Sequence, residues 1–347
     1  MDLDAIGKAL MGAIGANDTD AEPSGYLDMG YAPLNKIITG HYDKGPAYGR
    51  IIEVYGPSAA GKTLLATAAM IAAQRAGGLA GFVDWERTFK AGFAEEMGLN
   101  ATFPAFVYKQ SDTWESGNTI AMKMSEAIRS KEMIPKEAPL VWVLDSVAAA
   151  VPKSMLYDKD GNRRPIDEYT MNDTTALARV TSTTLKAVNQ LASELNVVMI
   201  YLNQIRTKPG VMYGDPTTTP GGGAMEFYAT TRLALGRKRV MDKASGDLLA
   251  AEIGITTKKN KLCRPFQSTS LTLAYDKDGR ASFDYAAGMV EHMVEVGALK
   301  KTGKMVEWDG KMMYESVLAK KVNSEGLMPE LTKRLLEHCE RAAVAAT

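Results

Sequence analysis

The stretch Gly56-Pro57-Ser58-Ala59-Ala60-Gly61-Lys62-Thr63 is the part of this chain whose chemistry can be read most directly. It fits G-x-x-x-x-G-K-[ST], a loop that wraps nucleotide phosphates. Glycines at positions 56 and 61 are expected to free the backbone, so that successive N–H groups turn inward toward anionic oxygens. The amino end of a following helix adds partial positive charge. Lys62 is expected to reach the β- and γ-phosphates, with the Thr63 hydroxyl holding Mg²⁺. Residues 56–64, which add Leu64 at the helix start, are read as the nucleotide-binding segment. A chance match in a chain this long is on the order of one in a hundred.

The flanking sequence supplies the context this loop needs. Ile51 to Tyr55 reads as a strand, and Leu64 to Arg75, rich in Ala, Leu and Met, reads as a helix. Other apolar runs at Leu79–Val83, Leu140–Leu144 and Val197–Leu202 read as strands covered on both faces, hence a mainly parallel sheet. Each ends in polar residues, where open α/β sheets bind ligands. Asp145 follows one run, placed to support Mg²⁺ through water. Glu86, in Asp84-Trp85-Glu86, is the candidate for aligning an attacking water. Gln204, in Asn203-Gln204, is either a γ-phosphate sensor or a structural amide.

The segment Ile205 to Ala224 has no periodicity and holds Pro209, Gly210, Gly214, Pro216, Pro220 and Gly221-Gly222-Gly223. Such a loop inside a compact domain is usually functional or disordered. It carries Arg206 and Lys208 for phosphates, and Met212 and Tyr213 as apolar or stacking groups of the kind that hold unpaired bases. Ser154 to Thr175 is a second polar insertion whose acids offset its bases. Lys258 to Arg264 contains four cations in seven residues and reads as a solvated turn or an anion site.

The chain has 347 residues, 46% of them hydrophobic, with 41 basic and 41 acidic side chains. It can therefore bury a core and a smaller second unit, and its charge balance argues against an indiscriminate DNA coat. Cys263 and Cys339 fit no metal or disulfide spacing and suggest a reducing compartment. No signal peptide or membrane span is read, so a cytoplasmic location is expected. Leu3, Ile6, Leu10 and Ile14 recur at helical spacing before a polar linker. From about Ala281 the pattern changes to helix, hairpin (around Trp308-Asp309-Gly310-Lys311) and helix. The expected organisation is a helix and linker over 1–24, an α/β core over 25–278 and a small α+β domain over 279–347.

From Gly25 to Leu336 the chain resembles the bacterial RecA family of recombinases. The resemblance rests on Asn203-Gln204-Ile205-Arg206, Gly210-Val211-Met212-Tyr213-Gly214 and Thr218-Thr219-Pro220-Gly221-Gly222. Gly49 to Pro57 and Asp145-Ser146-Val147-Ala148-Ala149 read the same way. It implies an ATPase stimulated by single-stranded DNA, with ATP and Mg²⁺ bound between copies in a helical filament that pairs with double-stranded DNA. It also implies roles at matching positions. Glu86 is the catalytic carboxylate, and Gln204 couples the γ-phosphate to the DNA loop. Arg206, Lys208, Met212, Tyr213, Gly221 and Gly222 belong to that loop. Lys259 and Lys261 reach the neighbouring copy's ATP, Phe93 lies near the adenine, and Phe227 is an interface aromatic. The N-terminal helix docks on the adjacent copy, and the C-terminal domain guides duplex DNA.

Several positions depart from the family pattern. The 154–175 insertion is longer than the family's first DNA loop. Glu226 replaces a usual Lys, and Lys90 replaces an Asp near the adenine. No acidic tail follows Ala343-Val344-Ala345-Ala346-Thr347. These fit a divergent or phage-encoded member. A hexameric helicase built on the same core, and a nucleotide-dependent mediator without strand exchange, remain alternatives on sequence alone.

Overall fold

A computed structural model of the chain describes residues 22–169, 175–207, 217–241, 248–275 and 281–346. The expected N-terminal helix with Leu3, Ile6, Leu10 and Ile14 lies outside the described residues, as do Lys208, Met212 and Tyr213. The first half runs α1 (Ala32–Thr39), β1 (Ile51–Gly56), α2 (Lys62–Arg75), β2 (Leu79–Asp84), α3 (Ala91–Glu96), β3 (Phe106–Gln110), α4 (Trp114–Ser130), β4 (Leu140–Asp145) and α5 (Lys153–Leu156). It continues with α6 (Ala176–Leu195), β5 (Val197–Gln204), the short pair β6 (Arg206–Thr207) and β7 (Thr217–Thr218), and α7 (Gly223–Tyr228). Strands β8 (Thr231–Met241), β9 (Leu248–Asn260), β10 (Ser268–Tyr275) and β11 (Ala281–Asp284) follow. The chain then forms α8 (Tyr285–Glu295), β12 (Lys301–Thr302), β13 (Met305–Trp308), β14 (Lys311–Tyr314), α9 (Glu315–Glu325) and α10 (Met328–Ala346).

The central sheet has nine strands in the order β11-β10-β9-β8-β1-β5-β4-β2-β3. From β8 through β1, β5, β4 and β2 to β3, every neighbouring pair is parallel. β9, β10 and β11 extend it as antiparallel strands. β1 and β4 are buried along their whole length, as doubly covered strands must be. Helix α2 explains its own Ala/Met-rich sequence: Leu65 to Ala73 are all buried, so the helix is apolar on every side. It packs on one face of the sheet in a cluster that continues through Met289, Trp308 and Leu335 of the C-terminal elements. α4, α6 and α7 cover the other face, where Trp142, Met199 and Tyr201 lie.

The C-terminal hairpin turns where its sequence indicates. Trp308 pairs with Lys311 across Asp309 (φ 50°) and Gly310 (φ 74°), the left-handed pair a two-residue turn requires. Arg334 of α10 lies 3.8 Å from the Trp308 ring centroid and bonds Asp309 at 2.7 Å, closing helix onto hairpin. Among the described residues, no helix is long and apolar enough to cross a membrane.

Candidate nucleotide site

The parallel strand order brings the carboxyl ends of β1, β5, β4 and β2 side by side. The loop from Gly56 to Gly61 leaves β1 and enters α2. Its two glycines are needed for different reasons, which corrects the expectation from sequence. Gly61 has φ +82°, the left-handed conformation. Gly56 does not; a Cβ there would lie 2.5 Å from the Leu235 carbonyl oxygen of β8. Close strand packing, not backbone freedom, excludes a side chain at 56. The second left-handed residue of the loop is Ala59, at φ 56°.

Lys62 Nζ donates to the carbonyls of Gly56 (3.1 Å) and Pro57 (2.8 Å), so its ammonium is held by its own loop. Burial lowers its pKa, while Asp145 and Glu86 oppose that shift. Thr63 Oγ1 donates to Asp145 Oδ2 at 3.2 Å, joining the helix start to the end of β4. Burial, reinforced by the charges of Glu86 and Asp84, pushes the Asp145 carboxyl up to about 7 against the opposing Thr63 bond. Thr63 and Asp145 present hard oxygen donors of the type Mg²⁺ takes alongside substrate phosphates. Among the described residues, no group of three or more His, Cys, Asp or Glu side chains could hold a metal. An Mg²⁺ site completed by phosphates does not need such a cluster.

Glu86 is pinned from below. Asp84, buried at the end of β2, accepts from the backbone N–H of Arg87 (2.6 Å) and Phe89 (3.0 Å) and from the Tyr108 hydroxyl (3.0 Å). Trp85 donates from Nε1 to Thr113 O at 3.0 Å and stacks on Trp114, which stacks on Tyr201. A rigid corner results, and Glu86 projects from it. Its Oε1 accepts from Ser146 Oγ and, at 3.2 Å, from Gln204 Nε2. The structure thus brings Lys62, Thr63, Glu86, Asp145 and Gln204 to one place. Ser146 and Asp84 are parts of it that the sequence reading did not assign; their adjacency to Asp145 and Glu86 was the available signal.

Two cavities of about 250 Å³ flank the phosphate loop. Phe93 lines one, with Thr63, Leu64, Thr67, Phe89 and Lys90. The other has residues 59–64 on one wall and Arg237, Leu273 and Tyr275 on the opposite wall. Arg237 donates to the Tyr275 hydroxyl at 3.0 Å, and its buried Nε has no hydrogen-bond partner among the described residues. A guanidinium on the wall opposite the loop is a cation of the kind that suits an anionic ligand. Arg237 and Tyr275 went unread because they lie on β8 and β10, far along the chain. A larger cavity, about 760 Å³, opens toward the far end of α2 beside Arg75, Phe283, Val322 and Met328, away from these groups.

A family model described as the RecA N-terminal domain matches residues 16–279. The chain belongs to the RecA family. Protein RecA of Porphyromonas gingivalis is 31% identical over 330 residues, covering 94% of this chain and 87% of that protein. Protein RecA of Thermus thermophilus is 30% identical over 303 residues, 86% of this chain and 82% of its own length. Protein RecA of Deinococcus radiodurans is 33% identical over 261 residues, 75% of this chain and 65% of its own length.

The remaining expected residues of this RecA-family chain stand apart from the corner. Arg206 is exposed on β6, paired with Thr218 of β7. Gly221 is buried with its Cα side against Val147, whereas Gly222 is exposed beside Ala178. Lys259 Nζ donates to the carbonyls of Glu226 and, at 2.8 Å, Phe227 at the end of α7. Burial, then the charges of Lys261 and Arg232, bring Lys259 down to about 8. Lys261 Nζ lies 5.9 Å from the ring centroid of Phe227, itself 69% exposed. Neither lysine bonds the phosphate loop or Glu86 of its own chain. The basic run from Lys258 to Arg264 is half strand, since β9 continues to Asn260.

Proposed function

We propose that this chain is a DNA-dependent ATPase that assembles into helical filaments on single-stranded DNA and pairs them with homologous duplex for strand exchange. The observation that carries this reading is the hydrogen bond from Gln204 to Glu86. It ties a carboxylate placed to align water to the first residues of a Gly/Pro-rich loop, the segment proposed to grip DNA. Lys62 and the loop N–H groups bind the phosphates, and Glu86 orients the attacking water. Thr63 and Asp145 hold Mg²⁺, which when bound neutralises phosphate charge. Phe93 walls one side of the nucleotide. Lys259 and Lys261 act on the neighbouring copy's ATP, which explains why they lie away from the phosphate loop of their own chain, next to exposed Phe227.

In the DNA loop, Arg206 and Lys208 contact phosphates, Met212 and Tyr213 contact bases, and Gly221 and Gly222 set the path of the chain into α7. Homology is read by base pairing, since backbone contacts carry no sequence information. The 1–24 segment docks on the adjacent copy, the 25–278 core carries both sites, and the 279–347 module meets duplex DNA. The test is ATP turnover with and without single-stranded DNA, run beside a joint-molecule assay with homologous and unrelated duplexes. Stimulated turnover with joint molecules only for the homologous duplex is expected. Stimulation without joint molecules contradicts strand exchange in favour of a helicase or mediator, and turnover indifferent to DNA contradicts the coupling itself.

A further inference from the structure

Glu53 is fully buried in the middle of β1, within an apolar strand where a Leu or Ile would satisfy the core. Burying a carboxylate is costly unless both oxygens are paired. Both are: Oε1 accepts from Asn203 Nδ2 at 2.8 Å, and Oε2 accepts from Arg232 Nε at 2.6 Å. Parallel register sets Glu53 opposite Arg232 of β8, and side-chain alternation puts Asn203 of β5 on the same face. The Asn203 amide also donates to Pro220 O at 3.0 Å, and its Oδ1 accepts from the Gln204 N–H at 2.9 Å. The rest of the Arg232 guanidinium reaches Thr219 Oγ1 (3.3 Å) and Glu226 Oε1 (3.6 Å) and lies 4.8 Å from the Tyr55 ring centroid.

We infer that Glu53, Asn203 and Arg232 are positioning residues that couple the Glu86–Gln204 corner to the far end of the following loop and to α7. The two described ends of that loop, Gln204 on one side and Thr219-Pro220 on the other, are tied to one carboxylate. Movement of Gln204 on nucleotide binding pulls on Asn203, and Asn203 holds Pro220 through the same amide. Arg232 carries the displacement on to Thr219 and to Glu226, beside the carbonyls that hold Lys259. The buried Glu53, Asn203 and Thr219 and the largely covered Arg232 of this network move together, because a broken link among them leaves a buried polar group unpaired. The charged pair is therefore kept for transmission between sites rather than for core stability.

The inference rests on the nucleotide-binding part of the proposed function and needs no DNA to test. Trypsin cleavage after Arg206 is followed by mass spectrometry with and without Mg²⁺ and a fluorescent non-hydrolysable ATP analogue, whose affinity is measured in parallel. In the unsubstituted chain the analogue is expected to slow that cleavage about tenfold. The double variant Glu53→Met/Arg232→Met removes both charges at similar volume, a change that buried pairs often tolerate. It is expected to bind the analogue within about threefold of the unsubstituted chain while losing most of the protection. Arg232→Lys keeps a charge for Glu53 but not the fork to Thr219, and is expected to fold with a modestly lower melting temperature while losing most of the protection. Full protection in either folded variant, or analogue binding by the unsubstituted chain without protection, overturns the relay. Failure of the unsubstituted chain to bind the analogue instead removes the nucleotide reading and the relay with it.

Discussion

Asp145 and Glu86 interact electrostatically but carry different proposed roles, and substitution separates them. Glu86→Gln keeps one acceptor oxygen for Ser146 and Gln204 but removes the carboxylate proposed to aim water. It is expected to retain ATP binding while turnover falls about a hundredfold or more, as measured by steady-state hydrolysis and analogue affinity. Near-normal turnover would contradict its role. Burial, reinforced by the neighbouring charges of Glu86 and Asp84, pushes the Asp145 carboxyl from 3.8 up to about 7. A carboxyl with a raised folded-state pKa stabilises the fold fully at low pH, and that contribution is lost as pH rises through the folded value. Asp145→Asn has no proton to lose. The melting temperature of the variant relative to the unsubstituted protein should therefore rise from pH 5 to pH 8 without metal. A pH-independent difference would contradict this.

At the scale of elements, the strand ends were legible and the strand neighbours were not. Ile51–Tyr55, Leu79–Val83, Leu140–Leu144 and Val197–Leu202 are apolar because both faces are covered, and each gives way to polar residues where the cover ends. That pattern puts Glu86, Asp145 and Gln204 at strand ends, while Thr63 is read from the G-x-x-x-x-G-K-[ST] motif. Register leaves no such mark. Nothing in the sequence sets Glu53 beside Arg232, or Tyr275 and Arg237 beside the phosphate loop, since those contacts depend on the antiparallel extension β8 to β11. The reading of Gly56 failed for the same reason: its neighbour, the Leu235 carbonyl, belongs to another strand. The distinction is testable. Gly61→Asn is expected to carry a small backbone-strain cost, smaller than Gly61→Ala, because Asn enters the left-handed region more readily than most side chains and the nearest atom to an added Cβ lies 3.8 Å away. Gly56→Ala is expected to destabilise by about 1–3 kcal/mol through overpacking against backbone. Thermal melts of both variants decide it, and equal losses would contradict the assignment of separate causes.

The whole molecule presents its chemistry in two halves. Phosphate loop, Glu86 and Gln204 lie at the carboxyl ends of the central parallel strands. Lys259, Lys261 and exposed Phe227 gather at α7 without bonding to those groups. In the proposed assembly, Lys259 and Lys261 of one copy act on the triphosphate that the next copy holds, so copies meet across the nucleotide. The most direct measurement is sedimentation velocity of the purified chain with Mg²⁺, a non-hydrolysable ATP analogue and a single-stranded oligonucleotide, each omitted in turn. Large assemblies that need all three components are the predicted result. A chain that remains monomeric with all three present would contradict the account.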